Sequence, residues 1–127
     1  MEIYIVRHGE TIWNADKRIQ GRADIELNTN GRELAGITGK ALEDVDFDRI
    51  YASPLIRAYE TACLLRGCRN IPIIRDERLK ELSFGVFEGA SFPEKLADLD
   101  HPFHHFFKHP ELYVAPPEGE TLEELCI

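Results

Sequence analysis

Residues 47–75 constrain the fold more than any other stretch of the chain. FDRIYA at 47–52 and IPIIR at 71–75 are rich in β-branched and aromatic residues, and each has the length of a strand. Between them Leu55, Ala58, Ala62 and Leu65 recur at helical spacing, and Gly67 closes that run. Ser53 is placed to cap the helix, with Pro54 as its first residue. Two strands joined through a helix point to an α/β fold with a parallel sheet.

The flanking segments extend this pattern. EIYIV at 2–6 reads as a buried strand running into Gly9. Residues 10–28 are polar and mixed, and they read as a long loop, which is uncommon unless functional. Asn28 can cap a helix that begins near Thr29, with Leu34, Ala35, Ala41, Leu42 and Val45 as its apolar stripe. Gly31, Gly36 and Gly39 each weaken that helix, by about 1 kcal/mol if interior. After residue 78 the pattern loosens. Residues 91–113, rich in aromatics, His and Pro, read as a helical excursion or lid over the sheet. PPEGE at 116–120 is a turn, and TLEEL starts a helix with Thr121 as cap and Glu124 completing a capping box. The expected architecture is one domain over 1–127. It has three layers, a mainly parallel central sheet flanked by helices, and a helical lid-like insertion near 90–115.

Composition excludes several function classes. Hydrophobic residues make up 43% and charged residues 30%, as in a soluble globular chain. No apolar run reaches membrane-spanning length and no leader pattern opens the sequence, so a cytoplasmic protein is expected. Cys63, Cys68 and Cys126 are odd in number and irregularly spaced, which argues against a disulfide framework. The net charge is −8, and the excess lies beyond residue 40, since residues 1–40 balance. Such a chain is a poor nucleic-acid binder. An anionic ligand would need a local pocket built from a few arginines.

The cluster Arg7-His8-Gly9-Glu10-Thr11 directly follows the first expected strand. A neutral imidazole can attack phosphorus and hold the phosphoryl group, provided one ring nitrogen donates to an acceptor and fixes the tautomer. Cations must offset charge on the phosphoryl oxygens, and the planar arginine fork suits them. Arg57, in the first turns of the helix after Ser53-Pro54, could join Arg7 in a clamp on one phosphate. Gly9 would let backbone approach the site closely. Thr11 and Asn14 can add neutral hydrogen bonds. Glu81 is a candidate general acid, with Glu88 a rival in the same stretch. His101, His105 and His109 in HPFHHFFKH share a helix-face spacing found in metal pairs. Pro102 and Pro110 flank the segment and no acidic partner completes a pattern, so no metal is assigned.

RHGET at 7–11, WN at 13–14, QG at 20–21, SPLIRAYETA at 53–62, KELSFGVFEG at 80–89 and PPEGE at 116–120 together resemble the histidine phosphatase superfamily, which includes phosphoglycerate mutases and many broad phosphatases. The motifs occur in the family order and cover nearly the whole chain. The resemblance implies His8 as the phosphorylated nucleophile, Arg7 and Arg57 as phosphate ligands, and Glu81 as proton donor. Gly9, Glu10, Thr11 and Asn14, with the loop around Gln20 and Gly21, would line the substrate pocket. It implies no cofactor, and a small phosphorylated substrate or inorganic phosphate as partner. The family's second catalytic His stands in a His-Gly pair on a late strand. None of His101, His104, His105 and His109 is followed by Gly, so that pair, with further strands of the sheet, is expected beyond residue 127. Three readings follow: a phosphomonoesterase, a phosphoglycerate mutase, or a shortened non-catalytic phosphate-binding module that self-associates through an exposed sheet edge.

Overall fold

A computed structural model describes residues 1–126. They form two compact units, one from Met1–Ile12 and Asp24–Lys80, the other from Trp13–Ala23 and residues 81 onward.

The first unit is the α/β part. Its strands are β1 (Ile50–Ala52) and β2 (Ile73–Arg75), paired in parallel with Ile50 opposite Ile73 and Ala52 opposite Arg75. The crossover between them carries α3 (Ile56–Arg66), which stops at Gly67 with φ +60°, as expected. The start of α3 differs from expectation. Its N-cap is Leu55, without a side-chain cap, rather than Ser53. The orphan N–H of Ile56 instead donates to Asp24 Oδ1 at 2.7 Å, so a residue distant in sequence supplies the acceptor.

Helix α2 (Thr29–Ala41) begins as expected, with the Asn28 side chain accepting the Gly31 N–H. Its buried face is Gly31, Ala35 and Gly39, while Leu34 and Ile37 point to solvent. The apolar stripe read from the sequence is therefore displaced. A Cβ on Gly39 would lie 2.7 Å from the Leu64 carbonyl oxygen, and one on Gly31 would lie 2.2 Å from that of Glu10. The helix packs at backbone distance, which only its smallest residues permit. Gly31 and Gly39, two of the three glycines that lower its intrinsic propensity, make its tertiary contacts.

EIYIV at 2–6 forms neither a buried element nor a strand. Ile3 is 71% and Ile5 93% exposed, and no ladder partner lies alongside among the described residues. β-Branched composition favours extension, but a strand also needs a neighbour to take its N–H and C=O groups. The Tyr4 ring, edge-on to Phe47 at 5.1 Å, holds this segment.

Residues 10–28 are not wholly loop. They contain the short helix α1 (Ile12–Ala15) and an antiparallel bridge from Thr11 to Leu27, both of which are fully buried. Further along the same stretch, in the second unit, Arg18 bridges Ser91. That unit centres on Ile19, Leu82, Phe84 and Phe103, with Phe87, Phe92, Leu96, Phe106 and Tyr113 packed around them. The segment after 90 is helical, as expected: α4 (Phe92–Ala97) and α5 (Pro102–Lys108). Phe103 meets Phe84 and Phe92 edge to face at 5.2 and 5.0 Å. Each such ring contributes about 1.5–3 kcal/mol by burial. His101 caps α5, its Nδ1 accepting the Phe103 N–H at 3.1 Å. Gly119 closes the PPEGE turn on the Pro116 carbonyl, and α6 (Leu122–Leu125) opens with the capping box of Thr121 and Glu124. No helix among the described residues is long and apolar enough to cross a membrane.

Candidate functional site

In the first unit, the loop after residue 6 carries the candidate nucleophile. The His8 Nδ1–H donates to the Gly9 carbonyl at 2.7 Å. A carbonyl only accepts, so this bond sets the proton on Nδ1 and leaves the lone pair of the neutral ring on Nε2. That is the tautomer a nucleophilic imidazole requires.

The peptide next to His8 is fixed to α3. Gly9 donates its N–H to Thr61 Oγ1 at 2.9 Å, and the Thr61 hydroxyl donates to the Arg57 carbonyl at 2.7 Å. The loop bearing His8 is thereby seated on the helical turn bearing Arg57. Arg57 is only 2% exposed, a setting in which attraction for an anion is little screened by solvent. Arg7 is exposed at the edge of the same loop. Thr61 was missed in the sequence. Its signal was its place four residues after Arg57, on the same helix face.

Gly9 packs closely against α2, where a Cβ would lie 2.8 Å from the Gly31 carbonyl oxygen. Glu10 braces the loop from the other side. Its carboxylate accepts from Asn28 Nδ2 at 2.8 Å and Asn30 Nδ2 at 3.2 Å, and its carbonyl accepts the Asn28 N–H at 2.9 Å. The Asn28 bond first, and the Asn30 bond second, lower the pKa of Glu10. Thr11 is buried in the bridge to Leu27.

The second unit holds the remaining expected residues: Asn14 in α1, Gln20 and Gly21 buried in the following turn, and Glu81. Gly21 has φ +54°, and a Cβ there would lie 2.2 Å from Glu88 Oε1. The two rival acids differ in their hydrogen bonds. Glu88 Oε1 accepts the N–H groups of Arg22 at 2.8 Å and Phe84 at 3.1 Å, and its Oε2 accepts that of Ala23 at 2.6 Å. Its carboxylate is committed to backbone donors. Glu81 is exposed, with one carboxylate oxygen accepting the Leu82 N–H at 2.9 Å. Among the histidines weighed for metal, His101 caps α5, His104 Nδ1–H donates to the Leu96 carbonyl at 2.6 Å, and His109 approaches Glu111 at 3.3 Å.

A family model described as the histidine phosphatase superfamily (branch 1) matches residues 3–127. The chain is 36% identical over 123 residues to an uncharacterized phosphatase, PhoE, of Bacillus subtilis, covering 97% of this chain and 58% of that protein. It is 33% identical over 127 residues to a probable phosphoglycerate mutase, GpmB, of an Enterobacter species, covering 100% of this chain and 59% of that one. Among solved structures, YhfR of Bacillus stearothermophilus superimposes with a TM-score of 0.83 at 44% identity, over 94% of this chain and 58% of that one. The chain thus spans a little over half the length of these relatives.

Proposed function

Because the chain belongs to the histidine phosphatase superfamily, we propose that it takes part in phosphoryl transfer as a phosphomonoesterase acting on small phosphorylated metabolites. The observation that carries this reading is the Nδ1-protonated His8, held on the turn of α3 that bears Arg57. In the proposed first step His8 Nε2 attacks phosphorus, an N–P bond forms, and the bond to the ester oxygen breaks. Arg7 and Arg57 offset charge on the phosphoryl oxygens. Glu81 gives its proton to the leaving alcohol; water then attacks phosphorus, the N–P bond breaks, and phosphate leaves while solvent returns a proton to Glu81. Asn14, Gln20 and Gly21, with Gly9, Glu10 and Thr11, shape the substrate side. None of these steps calls for a metal, so chelator leaves turnover intact.

The test is turnover of p-nitrophenyl phosphate by the complete protein and by His8→Ala. Loss of turnover in the variant is expected, and equal turnover by both would end the proposal.

The likeness to a probable phosphoglycerate mutase favours a second reading, in which phosphohistidine returns its phosphoryl group to a phosphorylated sugar acid. Isomerised product in place of free phosphate decides for it. A third reading, phosphate binding without turnover, draws on the exposed Ile3 and Ile5, which suit self-association. Full activity in a monomer excludes it. The cytoplasmic location belongs to the same proposal, supported by three free cysteines.

A further inference from the structure

The peptide carrying Glu81 is gripped from three sides within the second unit. Arg22 Nε–H donates to the Glu81 carbonyl at 3.1 Å, and Arg22 Nη2 donates to Glu120 Oε1 at 2.7 Å. Glu120 in turn holds Ser83: its N–H donates to the Ser83 carbonyl at 2.9 Å, and its Oε2 accepts the Ser83 N–H at 3.4 Å. Between these anchors the Leu82 side chain is fully buried in the aromatic core. Arg22 is itself fixed at its backbone, where its N–H and that of Ala23 close on Glu88, next to the tight turn at Gly21. Its guanidinium fork spans two segments that are remote in sequence, which a lysine ammonium cannot do in one geometry.

We propose that Arg22 is a positioning residue for the Glu81 carboxyl, an inference that rests on reading Glu81 as the proton donor. With the carbonyl of residue 81 held by Arg22 and residues 82 and 83 held by the core and Glu120, the Glu81 side chain leaves the backbone in one fixed direction. The Leu82 N–H then orients one of its oxygens. Removing the guanidinium frees that peptide to rotate, so the carboxyl reaches the departing oxygen less often. Proton donation depends on such placement at hydrogen-bond distance.

Leaving-group dependence separates positioning from general structural damage. An aliphatic ester such as glycerol 3-phosphate needs a proton as its P–O bond breaks, whereas p-nitrophenolate departs as the anion. In the complete protein, Glu81→Gln is the reference and should slow the aliphatic ester selectively, by about 10²-fold or more. Arg22→Ala is expected to lower kcat for the aliphatic ester by about 10-fold or more, with p-nitrophenyl phosphate within about 3-fold and KM unchanged for both. Arg22→Lys, which keeps the charge beside Glu120, should recover part of the loss and guards against a folding defect in the alanine variant.

A kcat loss equal for both esters would make Arg22 merely structural, and a raised KM for both would make it a substrate contact. Either result overturns the inference and leaves Glu81 as donor. If Glu81→Gln shows no leaving-group selectivity, or the wild type turns over neither ester, the donor reading itself falls and takes the inference with it.

Discussion

Thr61 joins Gly9 to Arg57: one hydroxyl accepts the Gly9 N–H at 2.9 Å and donates to the Arg57 carbonyl at 2.7 Å. The group is buried, so its loss leaves the Gly9 N–H without this acceptor and with little access to water. Thr61→Val, close in shape, is expected to cost about 1–3 kcal/mol of stability in urea unfolding. It should also lower turnover, because the His8 peptide loses its anchor. Thr61→Ser keeps the hydroxyl and should restore most of the turnover. A valine variant equal to wild type in both measurements would show that the bond contributes nothing.

The glycines of α2 make a paired prediction. A Cβ at Gly31 or Gly39 meets backbone atoms at 2.2 or 2.7 Å, which cannot move aside cheaply. Alanine there is expected to destabilise by about 1–3 kcal/mol through overpacking. A Cβ at Gly36 meets nothing within 4 Å. Gly36→Ala should stabilise by about 0.4–1 kcal/mol, since it only restricts the unfolded chain. Opposite shifts of the urea midpoints within one helix check the packing directly.

His101 makes the second unit sensitive to acid. Its Nδ1 accepts the Phe103 N–H, so Nε2 carries the proton of the neutral ring, buried without a partner. Desolvation first, and the positive charge of Lys95 second, lower its pKa from the ordinary 6.5. Asp98 opposes that shift and His105 adds to it. The unfolded chain then gains a proton near 6.5 that the folded chain refuses until lower pH. The neutral cap is at full strength above that value and weakens as pH falls below it, levelling off once the folded form also protonates. His101→Asn retains a capping oxygen without titrating in this range. It should lessen the loss of urea stability between about pH 7.5 and about pH 5.5. An unchanged slope would exclude His101 as the cause.

Glu88 accepts three backbone N–H groups, from Arg22, Ala23 and Phe84. Glu88→Ala removes the acceptor from all of them and is expected to cost about 2–4 kcal/mol. Glu88→Gln keeps an oxygen and should cost less. With Glu81 proposed as the donor and Glu88 as a brace on these N–H groups, the glutamine variant should leave the ratio of rates on aliphatic and nitrophenyl esters unchanged. A selective loss on the aliphatic ester would return Glu88 to candidacy as the acid.

What could be read from the sequence was mostly local. Asn28, Gly67 and the Thr121–Glu124 box mark element ends through bonds only a few residues long, and the strand–helix–strand order of 47–75 survives as β1, α3 and β2. The misses were tertiary. Asp24 caps α3 from 32 residues away, which no local pattern announces. In α2 the apolar residues predict the inner face, yet close approach to α3 at Gly39 and to the Glu10 backbone at Gly31 selects the smallest ones. The buried face of α3 includes Arg57 and Thr61, which an apolar-stripe search passes over. EIYIV has strand composition without a strand's neighbour. The motif residues His8 and Arg57 were legible, but the link between them depended on Thr61. The three backbone donors that gather on Glu88 come from tertiary placement and leave no mark in the local sequence.

The second unit is discontinuous in sequence. Ile19 exchanges backbone bonds with Gly89 and Ala90, and Lys17 accepts the Phe92 N–H, so two stretches separated by the whole of residues 24–80 are stitched together. The chain entropy of closing that long loop is spent before those bonds return anything. Nucleation is therefore expected in the locally wired β1–α3–β2 segment, with the aromatic unit condensing later. Stopping synthesis near residue 80 would leave Ile19 without its backbone partners on the far side of the loop.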